Sequence, residues 1–381
     1  MNENPLLQLS ALGQSIWMDY LDRGRIESGQ VRRHIEQDGL RGMTSNPTIF
    51  EKAITSDHAY DAPIRELAQR GKTSLQIFET ITLEDIRLAA DEFRPVFERL
   101  DRRDGFVSLE VSPHLAYDTF ATIEEARRLW RAVDRPNVMI KVPATAQGIP
   151  AIETLIAEGI QVNVTLLFGL DRYDEVAAAY LAGIEARVRR GESPRVASVA
   201  SFFLSRIDTL VDAELDAREH ARRIRPELAA SLRGKTAIAC ARIAYQRYLR
   251  HFGDARATEL ARMGARPQRL LWASTSTKNP AYSDVYYVDA LIGEDTIDTV
   301  PLETLEAYRE HGHPARRIED DVPRARAILR ELTEQDIDLA AVARQLEREG
   351  VAKFVKSYDQ LLEAIGRRRR AVVAPERRAG A

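Results

Sequence analysis

Short apolar segments alternate with helical patterns eight times along this chain, and that alternation constrains the fold more than any other feature of the sequence. The apolar segments cover residues 15–20, 42–47, 106–113, 137–143, 160–168, 196–203, 269–276 and 296–300, each closed by polar or turn residues. In the gaps, apolar residues recur at helical spacing over 122–133, 148–158, 172–190 and 206–222. Strand alternating with helix predicts a parallel sheet, because parallel neighbours need a long crossover that a helix supplies. Eight such units predict an α/β fold, a closed (β/α)8 barrel of TIM type with additional N- and C-terminal helices. The chain has 381 residues, more than the roughly 250 such a barrel needs. The surplus falls between the second and third segments, between the sixth and seventh, and in a helical region over 323–365. The sequence therefore predicts one barrel domain over residues 1–366, with the C-terminal helices packed on it. Residues 367–381, opening on four consecutive arginines, read as a basic, flexible tail.

Strands of a parallel sheet covered on both faces normally read as continuous Val, Ile and Leu. Several here do not. With period-two alternation, Phe106, Ser108, Glu110 and Ser112 share one face of the third segment. Asn137, Met139 and Lys141 share a face of the fourth, Gln161, Asn163 and Thr165 of the fifth, and Ser15, Trp17 and Asp19 of the first. The opposite faces are aliphatic and suit the outer helices, so the polar faces should point into the barrel. A buried carboxylate or ammonium costs several kcal/mol unless paired or hydrogen-bonded. Asp19, Glu110 and Lys141 also fall at the C-terminal ends of their strands, where such barrels build active sites. Structural readings stand beside this one. Asp19 could cap the turn at 22–24, Glu110 and Lys141 could be one ion pair, and Asn163 and Thr165 could satisfy each other.

Composition narrows the chemistry. Hydrophobic residues make up 44% and charged residues 30%, enough for a full core rather than a disordered chain. The formal net charge of -3 provides no field to gather nucleic acid or anionic lipid, so neither partner is expected and an anionic substrate needs a local cluster. Phosphate could be held by Arg206 and by the polar run 273–279, which contains Ser276 and Lys278, since helix N-termini and late barrel loops are common phosphate sites. Arg206 is equally readable as a surface ion pair. Cys240 is the single cysteine, which excludes a disulfide framework and a thiolate metal site. His311 and His313 lack a carboxylate at ligand spacing, and a lone His114 after the third strand reads as a structural hydrogen-bonding residue; no metal is expected. No glycine-rich nucleotide loop is present. Residues 1–15 lack a basic start followed by an apolar stretch, and no apolar run approaches the ~18 residues of a membrane span, so a cytoplasmic protein is expected. Only seven of the 55 basic residues are lysines, at 52, 72, 141, 235, 278, 353 and 356. Chemistry that needs an amine has few candidates.

In chain order, IWMDYLDR, GMTSNPTIF, SLEVSPHLAYDT, VMIKVPAT, VNVTLLF, ASFFLSRID and WASTSTKNP resemble the motifs of transaldolases of the longer bacterial type, over about residues 8 to 365. The resemblance implies a class I aldolase on a (β/α)8 barrel, working in the pentose phosphate pathway with no metal or organic cofactor. Its sugar-phosphate substrates would be sedoheptulose 7-phosphate or fructose 6-phosphate as donors of a dihydroxyacetone unit, and glyceraldehyde 3-phosphate or erythrose 4-phosphate as acceptors. By position, Lys141 resembles the lysine that forms the imine and Asp19 the base on the hydroxyl beside the bond to be cleaved. Glu110 is similar to the acid/base that works through water, and Thr165 to the residue that holds this water. The same resemblance gives Asn46, Asn163 and Ser201 to the dihydroxyacetone part and Arg206, Ser276 and Lys278 to phosphate. Lys278 stands where many members have arginine, so a point charge replaces a guanidinium fork. Ser201 is preferred to Ser198 on its spacing to Phe203 and Arg206. An amine must be neutral to attack a ketone, and burial among apolar residues favours that form. Two other readings of the same residues are a barrel isomerase with Glu110 as base and a sugar-phosphate-binding protein without turnover. The sequence does not distinguish a monomer from a homodimer.

Overall fold

The computed structural model describes residues 4–373. Eight strands form a closed, all-parallel barrel in sequence order: β1 (Gln14–Asp19), β2 (Gly42–Thr44), β3 (Phe106–Glu110), β4 (Val138–Pro143), β5 (Val162–Leu167), β6 (Ser198–Phe203), β7 (Arg269–Ala273) and β8 (Thr296–Val300). β8 closes on β1 with Ser15 opposite Ile297 and Trp17 opposite Thr299. All eight expected segments are strands, several of them shorter than the apolar run. β2 stops at Thr44 because Asn46 caps a helix that Pro47 opens. β3 stops at Glu110, three residues before the short turn that starts at Pro113. β7 stops at Ala273 because Ser274 turns to a φ of 57°.

The N-terminal end of the barrel is plugged from inside. Trp17 and Phe106 are fully buried with ring centroids 6.3 Å apart. The Trp17 indole leaves no room for a side chain at the first residue of β2, since a Cβ on Gly42 would lie 2.4 Å from it. Beneath the rings, Asp104 accepts hydrogen bonds from Ser15 Oγ at 2.6 Å, Trp17 Nε1 at 2.9 Å and Arg269 Nη2 at 2.9 Å. A buried charge survives because each of its lone pairs finds a donor. Two residues expected on the inner face turn elsewhere. Asn137 precedes β4 and donates to the carbonyls of Ala90 and Gly105, and Gln161 precedes β5 and donates to those of Pro136 and Val138. Both stitch loop carbonyls at the N-terminal end, because neither lies within a strand whose pleat would aim it inward.

Outer helices bury one stripe each. The helix Thr119–Val133 buries Thr122, Ile123, Ala126, Leu129 and Val133, is capped by Asp118 and ends at Asp134 in the left-handed region. The two long gaps hold the extra helices, among them Ser74–Arg99 before β3 and Thr236–Gly253 before β7. The last helix, Leu339–Val373, packs on the helices Pro47–Ser56, Asp61–Gln69 and Ser205–His220 and on β5. It therefore crosses the C-terminal ends of the strands. The arginine run expected to begin a flexible tail belongs to this helix. Arg367 pairs with Glu363, Arg368 donates to the Thr55 carbonyl near a helix end, and Arg369 donates to the loop carbonyl of Lys72. Residues 374–381 lie outside the described residues. No described helix is long and apolar enough to cross a membrane.

Candidate active site

The segment that leaves β2 organises the C-terminal mouth, and each residue of its TSNP sequence has a separate task. Thr44 ends β2 opposite Asp19, the last residue of β1. Its Oγ1 donates to Asp19 Oδ1 at 2.7 Å and lies 2.8 Å from Thr299 Oγ1 on β8. The Ser45 carbonyl accepts a hydrogen bond from Lys141 Nζ at 2.9 Å, and its hydroxyl donates to the Ser108 carbonyl at 2.7 Å. Asn46 turns Oδ1 to the amide of Ile49 at 3.1 Å, capping the helix, which leaves its Nδ2 as a donor. Pro47 sets the first helical residue, where its missing N–H costs nothing.

Lys141 and Glu110 face each other across β4 and β3 in register. Nζ lies 3.4 Å from Glu110 Oε2, and the side chains are only 5% and 3% exposed. Burial pushes the Glu110 carboxyl up to about 7, against the opposing pull of Lys141, with Asp19 adding to the rise. Asp19 is also raised, again by burial, opposed by Lys141, by the Thr44 hydrogen bond and by the more distant Arg206 and Lys278. Neither oxygen of Glu110, nor Thr165 Oγ1 on β5, has a hydrogen-bond partner among the described residues. Next to them runs a chain of three small polar groups. Ser201 Oγ on β6 donates to Asn163 Oδ1 at 2.7 Å, and Asn163 Nδ2 donates to Ser108 Oγ on β3 at 3.0 Å. Asn163 and Thr165 therefore do not satisfy each other. Ser198 lies at the opposite end of β6, donating to the Val162 carbonyl and accepting from Gln268.

A buried amine, two carboxylates of raised pKa and a cluster of amide and hydroxyl groups thus converge at the C-terminal ends of β1 to β6. The family model for transaldolase/fructose-6-phosphate aldolase matches residues 16–365. The chain belongs to that family. Among its relatives, a transaldolase of Thermobifida fusca is 48% identical over 95% of this chain and 97% of its own. A transaldolase of Thiobacillus denitrificans is 47% identical over 94% and 98%, and one of Trichodesmium erythraeum 45% identical over 96% and 97%.

The remaining positions singled out by the transaldolase resemblance lie at the rim of the same mouth. Arg206 opens the helix Ser205–His220 after β6. Its guanidinium lies over the Phe203 ring at 5.4 Å, and no carboxylate pairs with it among the described residues, so the ion-pair alternative does not apply. Burial holds its pKa below the usual value, with Asp19 and Glu349 opposing. Lys278 Nζ donates to Ser276 Oγ at 2.7 Å. Their loop is fixed by Ser205 Oγ against Ser274 Oγ at 2.9 Å and by Thr275 Oγ1 donating to the Thr299 carbonyl at 3.2 Å. All ten singled-out residues therefore border one mouth. Sequence reasoning missed Thr44, Ser45 and Thr299; it placed Ser108 on the inner face with Glu110 but gave it no role. The histidines take structural partners: His114 meets Asp359 at 2.8 Å and His311 meets Asp284 at 2.8 Å. His311 thus has a carboxylate in space that sequence spacing did not show. Among the described residues no cluster of three metal-ligating side chains occurs.

One backbone feature could not be read from the sequence. β5 breaks register between Val164 and Leu167, and Leu166 takes a φ of 54°. A leucine in that region costs roughly 1–2 kcal/mol. The bulge comes directly after Thr165, as bulges beside active sites often do.

Proposed function

We propose that this chain is a transaldolase that carries a dihydroxyacetone unit on Lys141. It would pass that unit from fructose 6-phosphate or sedoheptulose 7-phosphate to erythrose 4-phosphate or glyceraldehyde 3-phosphate, as a cytoplasmic enzyme of the pentose phosphate pathway. The observation that carries the reading is the amine of Lys141, nearly inaccessible and held between the Ser45 carbonyl and the Glu110 carboxyl at the C-terminal end of β4. Nζ attacks the ketone carbon, and the carbinolamine loses water to become a protonated imine. Asp19 takes the proton of the hydroxyl beside the bond to be cleaved. That bond breaks, its electron pair moves into the imine to leave an enamine, and the first aldehyde departs. The enamine then adds to the second aldehyde, Asp19 returns the proton, and water releases the product. Glu110, poised near neutrality, suits the proton transfers of imine formation and hydrolysis. Its oxygens and Thr165 Oγ1 are the unpartnered polar atoms that a water would bridge. Asn46 Nδ2, Asn163 and Ser201 would orient the three-carbon unit, and Arg206, Ser276 and Lys278 would bind the phosphate.

The test is a borohydride trap. Incubation with fructose 6-phosphate and borohydride should reduce the imine to a secondary amine, end activity and add mass to the peptide that contains Lys141. Lys141→Arg keeps the charge but should show no adduct, because a guanidinium stays protonated. An adduct on Lys278, or no adduct despite isomerisation of the sugar, would overturn the assignment.

A further inference from the structure

We infer that Lys353 on the last helix and Lys52 on the helix after β2 belong to the phosphate site, so that the C-terminal helix is a wall of the pocket that selects phosphorylated sugars. The inference rests on the transaldolase reading only for the identity of the substrate. Its geometric basis is the seating of the last helix over Arg206. Gly350 lets that helix come close: a Cβ there would lie 2.9 Å from Leu166 Cδ2 and 3.6 Å from Arg206 Nη1. Lys353 follows three residues later, one turn along the same side. Val351 and Phe354 are buried beneath it, and Ser357 Oγ meets Thr48 Oγ1 at 2.9 Å, which ties the last helix to the helix that carries Lys52.

The charges are arranged as an anion would require. Burial, and then the charges of Arg206, Lys278 and Lys52, hold the Lys353 ammonium below its usual pKa. Burial, Arg206 and Lys52 do the same to Lys278, opposed by Glu303 and Asp19. None of these four cations has an ion-pair partner among the described residues. The nearby acids are Asp19, Glu303 and Glu349. Lys52, Lys278 and Lys353 stand exposed around the half-buried Arg206, and four like charges from three separate elements and a loop repel one another where they stand. A phosphate monoester dianion at their centre removes the repulsion. Arg206 offers the planar fork, and the lysines offer point charges that tolerate small differences in sugar length.

Lys353→Gln and Lys52→Gln test this, singly and together, with Lys356→Gln as control because Lys356 lines a separate groove beside Tyr117 and Arg348. The ratio of kcat/KM for fructose 6-phosphate to that for fructose should fall about three- to tenfold in each variant and further in the double variant, as the loss of one partly exposed charge contact implies. Lys353→Arg should restore most of it. A ratio equal to that of the unsubstituted protein, or equal losses on both sugars, would show that the helix only packs. Inorganic phosphate supplies a readout independent of turnover: its Kd by calorimetry should rise by a similar factor in Lys353→Gln. If the unsubstituted protein fails to transfer carbon yet loses phosphate affinity on this change, the proposed function fails and the phosphate site stands. If phosphate affinity is the same in both, the site fails whatever the turnover.

Discussion

Glu110 shows how one residue's surroundings decide its chemistry. The same side chain in water would be ionised well below neutrality, but burial, outweighing the pull of Lys141, pushes it up to about 7. The sign of the stability effect follows from that direction. The folded protein keeps a proton that the unfolded chain releases above its ordinary value of 4.5, so stability falls as pH rises from about 4.5 to 7, by about 3 kcal/mol at most. Glu110→Gln cannot ionise and should make the slope shallower, with Asp298 and Asp208, also raised by burial, contributing what remains; urea unfolding at pH 5 and pH 8 measures this. The same variant should lose about 10²- to 10⁴-fold in turnover, together with the inflection near pH 7 in the rate profile. Near-normal turnover would reduce Glu110 to an ion-pair partner. Lys141 was legible because it stands in an apolar strand, but its contact with the Ser45 carbonyl was not. That carbonyl comes from a residue 96 positions away, brought close only by barrel closure.

At the scale of elements, β2 and β5 carry the information that periodicity lacks. β2 spans only three residues, and its work is done by the turn that follows. Asn46 serves as a helix cap and is proposed as a substrate donor, and two substitutions separate these tasks. Asn46→Ala should lose about 1 kcal/mol of stability with the cap. Asn46→Asp retains an oxygen for the Ile49 amide, and a negative charge suits the helix N-terminus, so its stability should match that of the unsubstituted protein in chemical denaturation. Both should lower kcat/KM for fructose 6-phosphate, and an Asn46→Asp enzyme of full activity would leave Asn46 as a cap alone. In β5 the alternation of Asn163 and Thr165 was readable from spacing. The bulge at Leu166 was not, because its left-handed backbone is imposed by neighbours rather than by leucine's own preference.

Across the whole molecule, the barrel axis divides labour. The N-terminal end is closed by Trp17, Phe106 and the Asp104 hub, and the C-terminal end is lined by ionisable groups under the last helix. Asp104→Ala removes the acceptor of four hydrogen bonds, from Ser15, Trp17 and both Nη atoms of Arg269, and leaves Arg269 buried without a charge partner, which should cost about 3–5 kcal/mol. The kcat at 25 °C of the folded variant should change less than twofold, since the proposed site lies at the other end. A large loss of kcat in a protein that unfolds at the usual denaturant concentration would contradict that division. By itself the sequence determined the eight strand–helix units, most of the inward polar positions and the one lysine that stands within a strand, because side-chain period and burial cost are local properties that each strand carries with it. The tertiary structure alone decided which groups meet. Thr44 touches Asp19, Ser201 touches Asn163 and the last helix seats over Arg206 because a closed sheet brings together residues far apart in sequence. Packing of the last helix anchors Arg368 and Arg369 in the run at 367–370, which composition made look like a loose tail: their acceptors are carbonyls about 300 residues earlier, and no local pattern encodes a contact of that span.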